Sequence, residues 1–339
     1  MLVNRRTMLT SIAGAAMLPF LPSMARAATP LSMQLAWIPN IEYAGLWVAL
    51  EKGYMSSAGV DFTYAPGGPN APQGPVAVAA GNANVSITGW IPFIDAVNKG
   101  NDFVLIGVTF QRSPLGILSL AKRPILKPAD MVGATFLGKG ATVKTTLEAT
   151  LAINKLPPEL KLVEVGYSPE PLVAGQGDGH IGYATDQPLQ LKHMGMTPNK
   201  DYFFTLFDDL GFKSYSGLLF TTRAYLNANR PAVVGFVKAM IQGWAENSKD
   251  PKVAAKYATE KYGRDYSLNY EHQIEENEVQ IGLLRPADKP NYPLFTLDKD
   301  LINGPMIDAA KASGRTSIPD LSKCIDYSVA DEAHAALKG

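Results

Sequence analysis

The chain reads MQLAWIPNIEYAGLWVALEKGY from Met33 to Tyr54, and this stretch decides the fold. Apolar residues alternate with polar or small ones up to Trp37, and this period of two predicts a strand with one buried face. Pro39 has no N–H for a sheet ladder and biases the residue before it toward an extended conformation. We therefore expect the strand to end near Trp37 and the chain to turn through a polar corner.

A helix is predicted directly after this corner. Asn40 is free to cap it, Tyr43 to Lys52 continue it, and Gly53 is placed to end it in the left-handed conformation. Trp37, Asn40 and Tyr43 then lie at the carboxyl end of a strand and the amino end of a helix, where open α/β sheets bind ligands. Either ring can instead be an ordinary core aromatic, and the sequence leaves that choice open.

Composition is that of a globular protein large enough for two domains. The 339 residues are 46% hydrophobic and 18% charged, as in ordinary soluble proteins. Basic and acidic side chains number 31 each, so no charge excess points to a nucleic-acid partner, and none is expected. The single cysteine, Cys324, excludes an intrachain disulfide and a multi-cysteine metal site.

Residues 1–27 resemble a signal peptide. Arg5 and Arg6 precede an apolar run that ends in Ala25-Arg26-Ala27, a small-x-small cleavage pattern, and the paired arginines are similar to a twin-arginine signal. Two prolines in the run disfavour the alternative of a membrane anchor. No cysteine stands directly after the cleavage pattern, so we expect an exported, soluble, periplasmic protein that is not lipidated. The twin-arginine and general secretory routes both remain open.

Strands and helices alternate through the first part of the chain. Beyond the opening strand and helix, further strands are predicted at 60–64, 85–87 and 103–110, and helices at 71–80 and 90–98. Such alternation predicts parallel strands with helices on the sheet faces. Asn70 lies in a Pro-Gly-rich loop, and Thr88, Gly89 and Trp90 come directly after a strand, on the same edge as Trp37.

The pattern repeats after a linker at Gln111 to Pro114. Strands are predicted at 115–121, 134–137, 160–165, 181–184, 202–207 and 216–222, and a helix at 141–154. Lys139 and Gly140 form a tight turn before this helix, where backbone N–H groups can contact an anion or a carbonyl. Tyr183, Asp186 and Gln187 follow another strand. From residue 224 onward the pattern is helical.

We therefore predict an α/β protein with two lobes, joined by a hinge of two strands and followed by a helical C-terminal tail. The first lobe is discontinuous, with residues 28–114 and 223–339, and the second lobe comprises residues 115–222.

Catalytic motifs do not support an enzyme. The segment GATFLGKG at 133–140 nearly matches a phosphate-binding loop, but Gly140 stands where Ser or Thr would contact magnesium, and the strand lies inside the motif. The sequence has no nucleophile elbow, zinc-protease pair or dinucleotide fingerprint. The four histidines lie on separate predicted elements without metal-ligand spacing. We expect no catalytic residue, no metal and no cofactor.

Three segments resemble a known family. They are W-I-P-N-x-x-Y-A-G at the corner, GGPNAPQGPVAVAAGNANVSITG after the second strand, and LVAGQGDGHIGYATDQP in the second unit. They are similar to ABC-transporter substrate-binding proteins of the nitrate, sulfonate, taurine and thiamine-pyrimidine-precursor group. The resemblance covers roughly residues 31–255. It implies the type II periplasmic-binding-protein fold, in which two lobes close on a ligand.

Within that group, Trp37-Ile38-Pro39-Asn40 looks most like the thiamine-pyrimidine branch, which binds hydroxymethyl- or formylamino-pyrimidines. Some eukaryotic relatives are pyrimidine synthases that use a histidine at the place of Tyr43 together with a cysteine-rich cluster. Tyr43 and the lone Cys324 depart from that pattern, so synthase activity is not expected and the particular ligand stays open.

Two sets of predicted site residues correspond to two classes of ligand. Trp37, Tyr43, Trp90 and Tyr183 can enclose a flat heteroaromatic ring, with Asn40, Asn70, Asp186 and Gln187 reading its nitrogens and amines. Thr88, Gly89, Lys139 and Gly140 suit a sulfonate or nitrate instead. We expect a monomeric binding protein that delivers a pyrimidine-like ligand to an inner-membrane ABC permease and its ATPase. An organic anion is the alternative, and a ligand sensor acting through a receptor is a third possibility.

Overall fold

The computed structural model describes residues 28–338, so the predicted signal peptide at 1–27 lies outside the described residues. Within residues 28–338, ten strands form two separate five-stranded sheets. The strands are β1 (Thr29–Gln34), β2 (Val60–Ala65), β3 (Val85–Thr88), β4 (Phe103–Phe110), β5 (Leu115–Leu120), β6 (Ala134–Gly138), β7 (Leu160–Glu164), β8 (Gly179–Tyr183), β9 (Tyr202–Leu206) and β10 (Ser216–Thr222).

The first sheet has the strand order β2-β1-β3-β10-β4. β1 pairs in parallel with β2 and β3, and β10 runs antiparallel between β3 and β4. β1 ends at Gln34, earlier than expected, because the N–H groups of Ala36 and Trp37 donate to the Tyr43 hydroxyl instead of to a neighbouring strand. The polar corner therefore begins after Gln34, and not after Trp37 as the alternation predicts.

The second sheet has the strand order β7-β6-β8-β5-β9. β6 is parallel to β7 and β8, whereas β5 is antiparallel to β8 and β9. The first sheet thus includes β10, which returns after the chain has formed the whole second sheet, whereas the five strands of the second sheet are consecutive in the chain. The predicted organisation in two α/β lobes is confirmed, and we call the two halves the first and second lobe after their sheets.

The predicted boundary of the second lobe at residue 222 is wrong. Ser216–Thr222 forms a strand as expected, but it pairs with β3 and β4 of the first sheet. Strand periodicity reports local burial and does not say which sheet receives the strand. The return crossing therefore lies between Leu206 and Ser216.

Fourteen α-helices occur in residues 28–338, together with short 3₁₀ and π turns. The longest, α8, bends where Asn229 leaves helical geometry just before Pro231. The helices are α1 (Ala44–Glu51), α2 (Tyr54–Ser57), α3 (Gly74–Ala79), α4 (Trp90–Asn98), α5 (Ala141–Ile153), α6 (Glu170–Val173), α7 (Gln187–His193), α8 (Arg223–Asn247), α9 (Pro251–Tyr257), α10 (Tyr270–Ile281), α11 (Lys299–Leu301), α12 (Ile307–Ala312), α13 (Leu321–Cys324) and α14 (Ser328–Ala335).

The C-terminal tail is helical but more broken than predicted. The helical pattern predicted from residue 224 onward shows no break near residue 302, whereas the chain forms α11, a π turn over Ile302–Met306 and then α12. Pro305 lies in that π turn, where it lacks an N–H for a regular helical bond. The buried Ala309 of α12 packs with Leu147 and Leu151 of α5 in one apolar cluster. The tail thus also contacts the second lobe.

The first lobe is held together by close packing of α1 on α8. Gly45 faces the Trp244 ring, and Gly243 faces the backbone of Gly45, so that neither position has room for a Cβ atom. Trp47 and Trp244 are fully buried in this cluster. Because the helix axes can approach only where side chains are absent, these glycines fix the position of α1 and of the corner that precedes it.

Two chain segments connect the lobes, one after Phe110 and one after Leu206. Arg112 on the first segment forms ion pairs with Asp208 and Asp209 on the second, at 3.3 and 2.6 Å. Lys213 also contacts Asp208, at 3.0 Å. In residues 28–338 no helix is both long and apolar enough to cross a bilayer.

Candidate ligand-binding site

A cavity of about 460 Å³ lies between the two lobes. Its volume falls in the range of small-molecule binding pockets. The first lobe contributes the corner after β1 and one face of α10, and the second lobe contributes the segments around the end of β8. The lining residues are Ala36, Trp37, Asn40, Ile41, Glu42, Phe110, Pro114, Tyr167, Tyr183, Thr185, Asp186, Gln187, Ser216, Glu276, Gln280 and Leu283.

The corner that carries Trp37 is fixed from behind by Tyr43. The N–H groups of Ala36 and Trp37 both donate to the Tyr43 hydroxyl oxygen at 2.9 Å. On the other side, the N–H of Gly67 donates to the Trp37 carbonyl at 3.0 Å, and the backbone at 35–37 leaves no room for a Cβ on this glycine. The backbone of Trp37 is therefore held from both sides.

Asn40 and Trp47 complete the support of the corner. The Asn40 side chain accepts from the Glu42 N–H at 3.1 Å and caps a 3₁₀ turn over Ile41–Tyr43, which confirms its predicted capping role. The Trp47 indole N–H donates to the Asn40 carbonyl at 2.7 Å, and its ring stacks on Tyr262 with centroids 4.2 Å apart. Most backbone groups of this turn thus have protein partners.

Helix α10 packs against the corner and contributes side chains to the cavity. The Ile41 N–H donates to Gln273 Oε1 at 2.9 Å, and Gln280 Nε2 donates to the Ile41 carbonyl at 2.7 Å. Glu276 lies between these two glutamines in sequence and lines the cavity together with Gln280. The two glutamines therefore orient the face of α10 that carries Glu276.

Gln187 organises the wall of the second lobe. Its Oε1 accepts from the Tyr183 N–H at 2.6 Å, and its Nε2 donates to the Tyr167 carbonyl at 3.1 Å and to Asp186 Oδ2 at 2.7 Å. The Gln187 side chain occupies the space where a Cβ on Gly182 would lie. Gln187 thus positions two aromatic residues and one carboxylate, and its hydrogen-bonding groups are already engaged.

The cavity exposes aromatic rings from both lobes. Trp37 is 38% exposed and Tyr183 is 46% exposed, whereas the other three tryptophans are buried. Tyr167, at 61% exposure, and Phe110 also line the cavity. Large exposed rings that face one cavity from two lobes form an apolar surface that a ligand can contact. The sequence pattern did not indicate Tyr167 or Phe110 as site residues. Phe110 is the last residue of the strand predicted at 103–110, and Tyr167 lies two residues beyond the strand predicted at 160–165.

Three carboxyl groups line the cavity, namely those of Glu42, Asp186 and Glu276. Burial, and then repulsion from Glu276, raises the pKa of Glu42 to about 7. Burial also raises the pKa of Glu276, against the opposing effect of His272. None of the described lining residues is a lysine or arginine, so the cavity favours hydrogen-bond donors and positive charge. The sequence did not single out either residue, because Glu42 lies on a predicted helical turn and Glu276 lies in a run of acidic residues on a predicted helix.

Five of the twelve predicted site residues line this cavity, and they come from both lobes: Trp37, Asn40, Tyr183, Asp186 and Gln187. Tyr43 and Trp90 do not line it. Tyr43 is buried behind the corner, and Trp90 lies in the first-lobe core, where its indole N–H donates to the Met306 carbonyl at 2.7 Å. For Tyr43 the structure shows the open alternative of a core aromatic, and Trp90, which was predicted to face the ligand, is also a core residue.

The remaining predicted residues lie outside the cavity lining. Asn70 is exposed on the loop before α3. Thr88 lines a second groove of about 680 Å³ between α4 and α5, and Gly89 and Gly140 line neither space. Lys139 is exposed, with its Nζ 5.9 Å from the centroid of the Tyr167 ring. The residues predicted for an anion are therefore not gathered in the interlobe cavity.

Two mixed sheets, a double crossing and an interlobe cavity define the architecture of two-lobed solute-binding proteins. The chain belongs to the family described as NMT1/THI5 like, whose family model matches residues 40–254. The resemblance stated from the sequence is thereby confirmed.

Two curated relatives carry names that describe a bound solute. The chain is 27% identical to the formylaminopyrimidine-binding protein of Halalkalibacterium halodurans, over 81% of this chain and 82% of the relative. It is 23% identical to the riboflavin-binding protein RibY of Chloroflexus aurantiacus, over 70% of each chain.

Solved structures confirm the periplasmic-binding-protein fold. The sulfonate-binding protein SsuA of Methylobacillus flagellatus, described as periplasmic and part of an ABC transporter, superposes with a TM-score of 0.66 at 16% identity, over 92% of this chain and 96% of that chain. The desulfurization enzyme DSZB has the same fold, with a TM-score of 0.60 at 12% identity, over 90% of this chain and 99% of that chain.

Proposed function

We propose that the protein is the extracytoplasmic solute-binding component of an ABC importer and that it captures a small heteroaromatic ligand bearing amino groups. A pyrimidine precursor of thiamine is the ligand that we favour. Family membership supports the binding role, and the formylaminopyrimidine-binding relative supports the ligand class.

One observation carries the ligand assignment: the cavity combines exposed aromatic rings with carboxylates and has no lysine or arginine among its described lining residues. Rings such as Trp37 and Tyr183 can contact a flat ligand from opposite lobes, each contributing roughly 0.5–1.5 kcal/mol beyond area burial. Glu42, Asp186 and Glu276 can accept hydrogen bonds from ring N–H and exocyclic amino groups. Ligands with such donors would leave few buried acceptors unpaired.

A sulfonate or nitrate is the second candidate, and the same cavity disfavours it. Anion sites use helix N-termini and cationic side chains. Here an anion would meet three carboxyl groups in the cavity, and Lys139 does not line it. Fold similarity to sulfonate-binding proteins is too distant in sequence to carry ligand specificity.

The proposed mechanism is lobe closure without covalent chemistry. A ligand that contacts Trp37 on one lobe and Tyr183 on the other binds the closed state more tightly than the open state, and it shifts the equilibrium by that difference. The closed complex would then dock, as a monomer, on a permease in the inner membrane. The segments at Arg112 and Asp208 would act as the hinge.

An enzymatic role is not favoured by the residues present. The resemblance to pyrimidine synthases implies a histidine where this chain has Tyr43, and the Tyr43 hydroxyl is engaged by two backbone N–H groups. Cys324 is buried in the first-lobe core, where burial raises the pKa of its thiol to about 11, so it is a poor nucleophile.

A thermal-shift screen of the purified protein against aminopyrimidines, flavins, alkanesulfonates and nitrate tests the ligand class. We expect aminopyrimidines to give the largest rise in melting temperature, because a ligand that binds only the native state stabilises it. If only sulfonates or nitrate raise the melting temperature, the assignment is wrong.

The Asp186→Asn variant tests whether the cavity carboxylates read the ligand. Loss of this charge-assisted acceptor should weaken an amine-bearing ligand about 10-fold or more by calorimetry. Asp61→Asn is the matched control, because Asp61 is exposed on β2 and does not line the cavity. Equal affinities of the two variants would remove Asp186 from the binding site.

A further inference from the structure

Two histidines from different lobes meet at the edge of the interlobe cavity. His193 is the last residue of α7, and His272 lies in the first turn of α10. Their ring centroids are 5.6 Å apart. The sequence separates them by several elements, so ligand spacing along the chain did not reveal the pair.

Glu275 completes a three-residue cluster with these histidines. His193 Nε2 lies 2.6 Å from Glu275 Oε2. One potential ligand atom from each of His193, His272 and Glu275 lies within 4.8 Å of the other two. His272 and Glu275 are three residues apart on α10, so the helix places them on one face. Two imidazoles and one carboxylate are a common ligand set for zinc.

Charge around the cluster is negative. Asp186 Oδ1 and Glu276 Oε1 lie 4.0 and 3.6 Å from His272 Nε2. Lys192 contacts the other oxygen of Glu275, Oε1, at 2.6 Å. With neutral imidazoles, three carboxylates face one ammonium group, and a divalent cation would offset the excess. Glu275 Oε2 is directed toward His193 while Lys192 holds Oε1.

The cluster is accessible to an ion from solvent. The side chain of His193 is 48% exposed, whereas those of His272 and Glu275 are 22% and 24% exposed. Three protein ligands would leave a fourth position of a tetrahedral ion for water. This arrangement differs from an ordinary surface ion pair, since the ligand atoms converge from two lobes.

We propose that His193, His272 and Glu275 form a zinc-binding site that bridges the two lobes. A Zn²⁺ ion held by α7 and α10 stabilises the closed arrangement of the lobes. Asp186 lies beside the cluster and also lines the ligand cavity. The coupling of zinc to ligand affinity rests on the proposed solute-binding function, whereas the metal site itself does not.

Calorimetric titration of the untagged, chelator-treated protein with ZnCl₂ tests the site. We expect one ion per chain, and we expect His193→Ala, His272→Ala and Glu275→Gln each to weaken binding at least about 10-fold. His334→Ala is the control, because His334 contacts the Leu294 carbonyl elsewhere in the first lobe and should bind zinc like the wild type. Circular dichroism confirms that each variant is folded. Wild-type affinity in the three cluster variants, or the absence of zinc binding to the wild type, would overturn the site.

A second titration separates this proposal from the proposed function. Saturating Zn²⁺ should tighten aminopyrimidine binding in the wild type, because the ion and the ligand both stabilise the closed arrangement of the lobes. In His193→Ala, aminopyrimidine affinity should not change when zinc is added. Zinc binding without any aminopyrimidine binding would overturn the proposed function and leave the metal site standing. Aminopyrimidine binding that zinc does not alter would overturn the coupling alone.

Discussion

At the scale of single residues, Tyr43 shows how a site residue predicted from sequence can have a different role. Its position beside a polar corner predicted a ring that faces the ligand. The structure buries the ring and directs its hydroxyl to the backbone of Ala36 and Trp37. An aromatic residue one helical turn into an element can face either way, and burial is decided by α8 and α10, which are distant in sequence. Trp37 and Asp186 were predicted more reliably because strand ends share one edge of a sheet.

Tyr43→Phe removes the acceptor of two backbone N–H groups. Leaving these donors without a partner should lower the free energy of unfolding by about 1–3 kcal/mol. The affinity for the ligand should fall as well, because Trp37 is no longer held in place. Urea unfolding and calorimetry measure the two effects.

Tyr64→Phe serves as the comparison for this variant. The Tyr64 ring packs near Trp47 with centroids 5.4 Å apart, and its hydroxyl makes none of the described hydrogen bonds of the corner. A loss of stability and affinity in Tyr64→Phe equal to that in Tyr43→Phe would show that the hydroxyl of Tyr43 has no special role.

Glu42 predicts a pH dependence of stability. Its pKa rises from 4.5 to about 7 on folding, chiefly through burial. A carboxyl with a raised native pKa binds its proton more tightly in the folded state, so this contribution to stability is present below about pH 4.5 and is lost as the pH rises through 7. Glu42→Gln should therefore match the wild type near pH 4.5 and exceed it at about pH 8 by on the order of 1–3 kcal/mol.

Urea unfolding of both proteins across this pH range checks the prediction. A difference in unfolding free energy that stays constant with pH would contradict it. So would a wild type that gains on the variant as the pH increases.

At the scale of elements, the local sequence pattern predicted where several strands and helices begin and end. It did not predict features that depend on residues distant in sequence. β4, α4 and β10 have the predicted limits because apolar runs and flanking turn residues define them locally. The sheet to which β10 belongs depends on pairing with β3 and β4, which no local pattern encodes. The helical periodicity of the sequence likewise continues across Pro305. It therefore did not predict the π turn that separates α11 from α12.

The packing of α1 on α8 predicts that Gly243 tolerates no side chain. A Cβ there would overlap the Gly45 carbonyl, and relief requires the helices to separate. Gly243→Ala should destabilise the protein by roughly 1–3 kcal/mol, net of the roughly 1 kcal/mol that alanine gains in a helix. Chemical denaturation gives the value directly.

Gly304→Ala is the control for this substitution. Apart from its chain neighbours and its own helix backbone, no described atom lies within 4 Å of a Cβ built on Gly304. Pro305 follows directly and constrains a residue that has a Cβ, so we expect Gly304→Ala to destabilise the protein less than Gly243→Ala does. An equally stable Gly243→Ala variant would mean that the two helices do not depend on this contact.

At the scale of the whole molecule, two connecting segments and an interlobe cavity predict motion of one lobe against the other. The two lobes were expected from the repeated strand and helix pattern. The cavity itself was predicted only in part, because two of its three carboxyl groups, those of Glu42 and Glu276, lie on helical turns whose relative position depends on Gln273 and Gln280.

Ligand binding should make the molecule more compact. A ligand that contacts both lobes favours the closed state, so the radius of gyration from small-angle X-ray scattering should fall when an aminopyrimidine is added at saturation. Nitrate at the same concentration is the control. An unchanged radius with saturating aminopyrimidine would indicate binding without closure.

The central claim is that an aminopyrimidine stacks between rings of the two lobes, and tryptophan fluorescence tests it most directly. Trp37 is 38% exposed in the cavity, whereas Trp47, Trp90 and Trp244 are buried. Titration with formylaminopyrimidine should change the emission of the wild type saturably, and Trp37→Phe should lose that change. A saturable change of equal size in Trp37→Phe, or none in the wild type, would contradict the account.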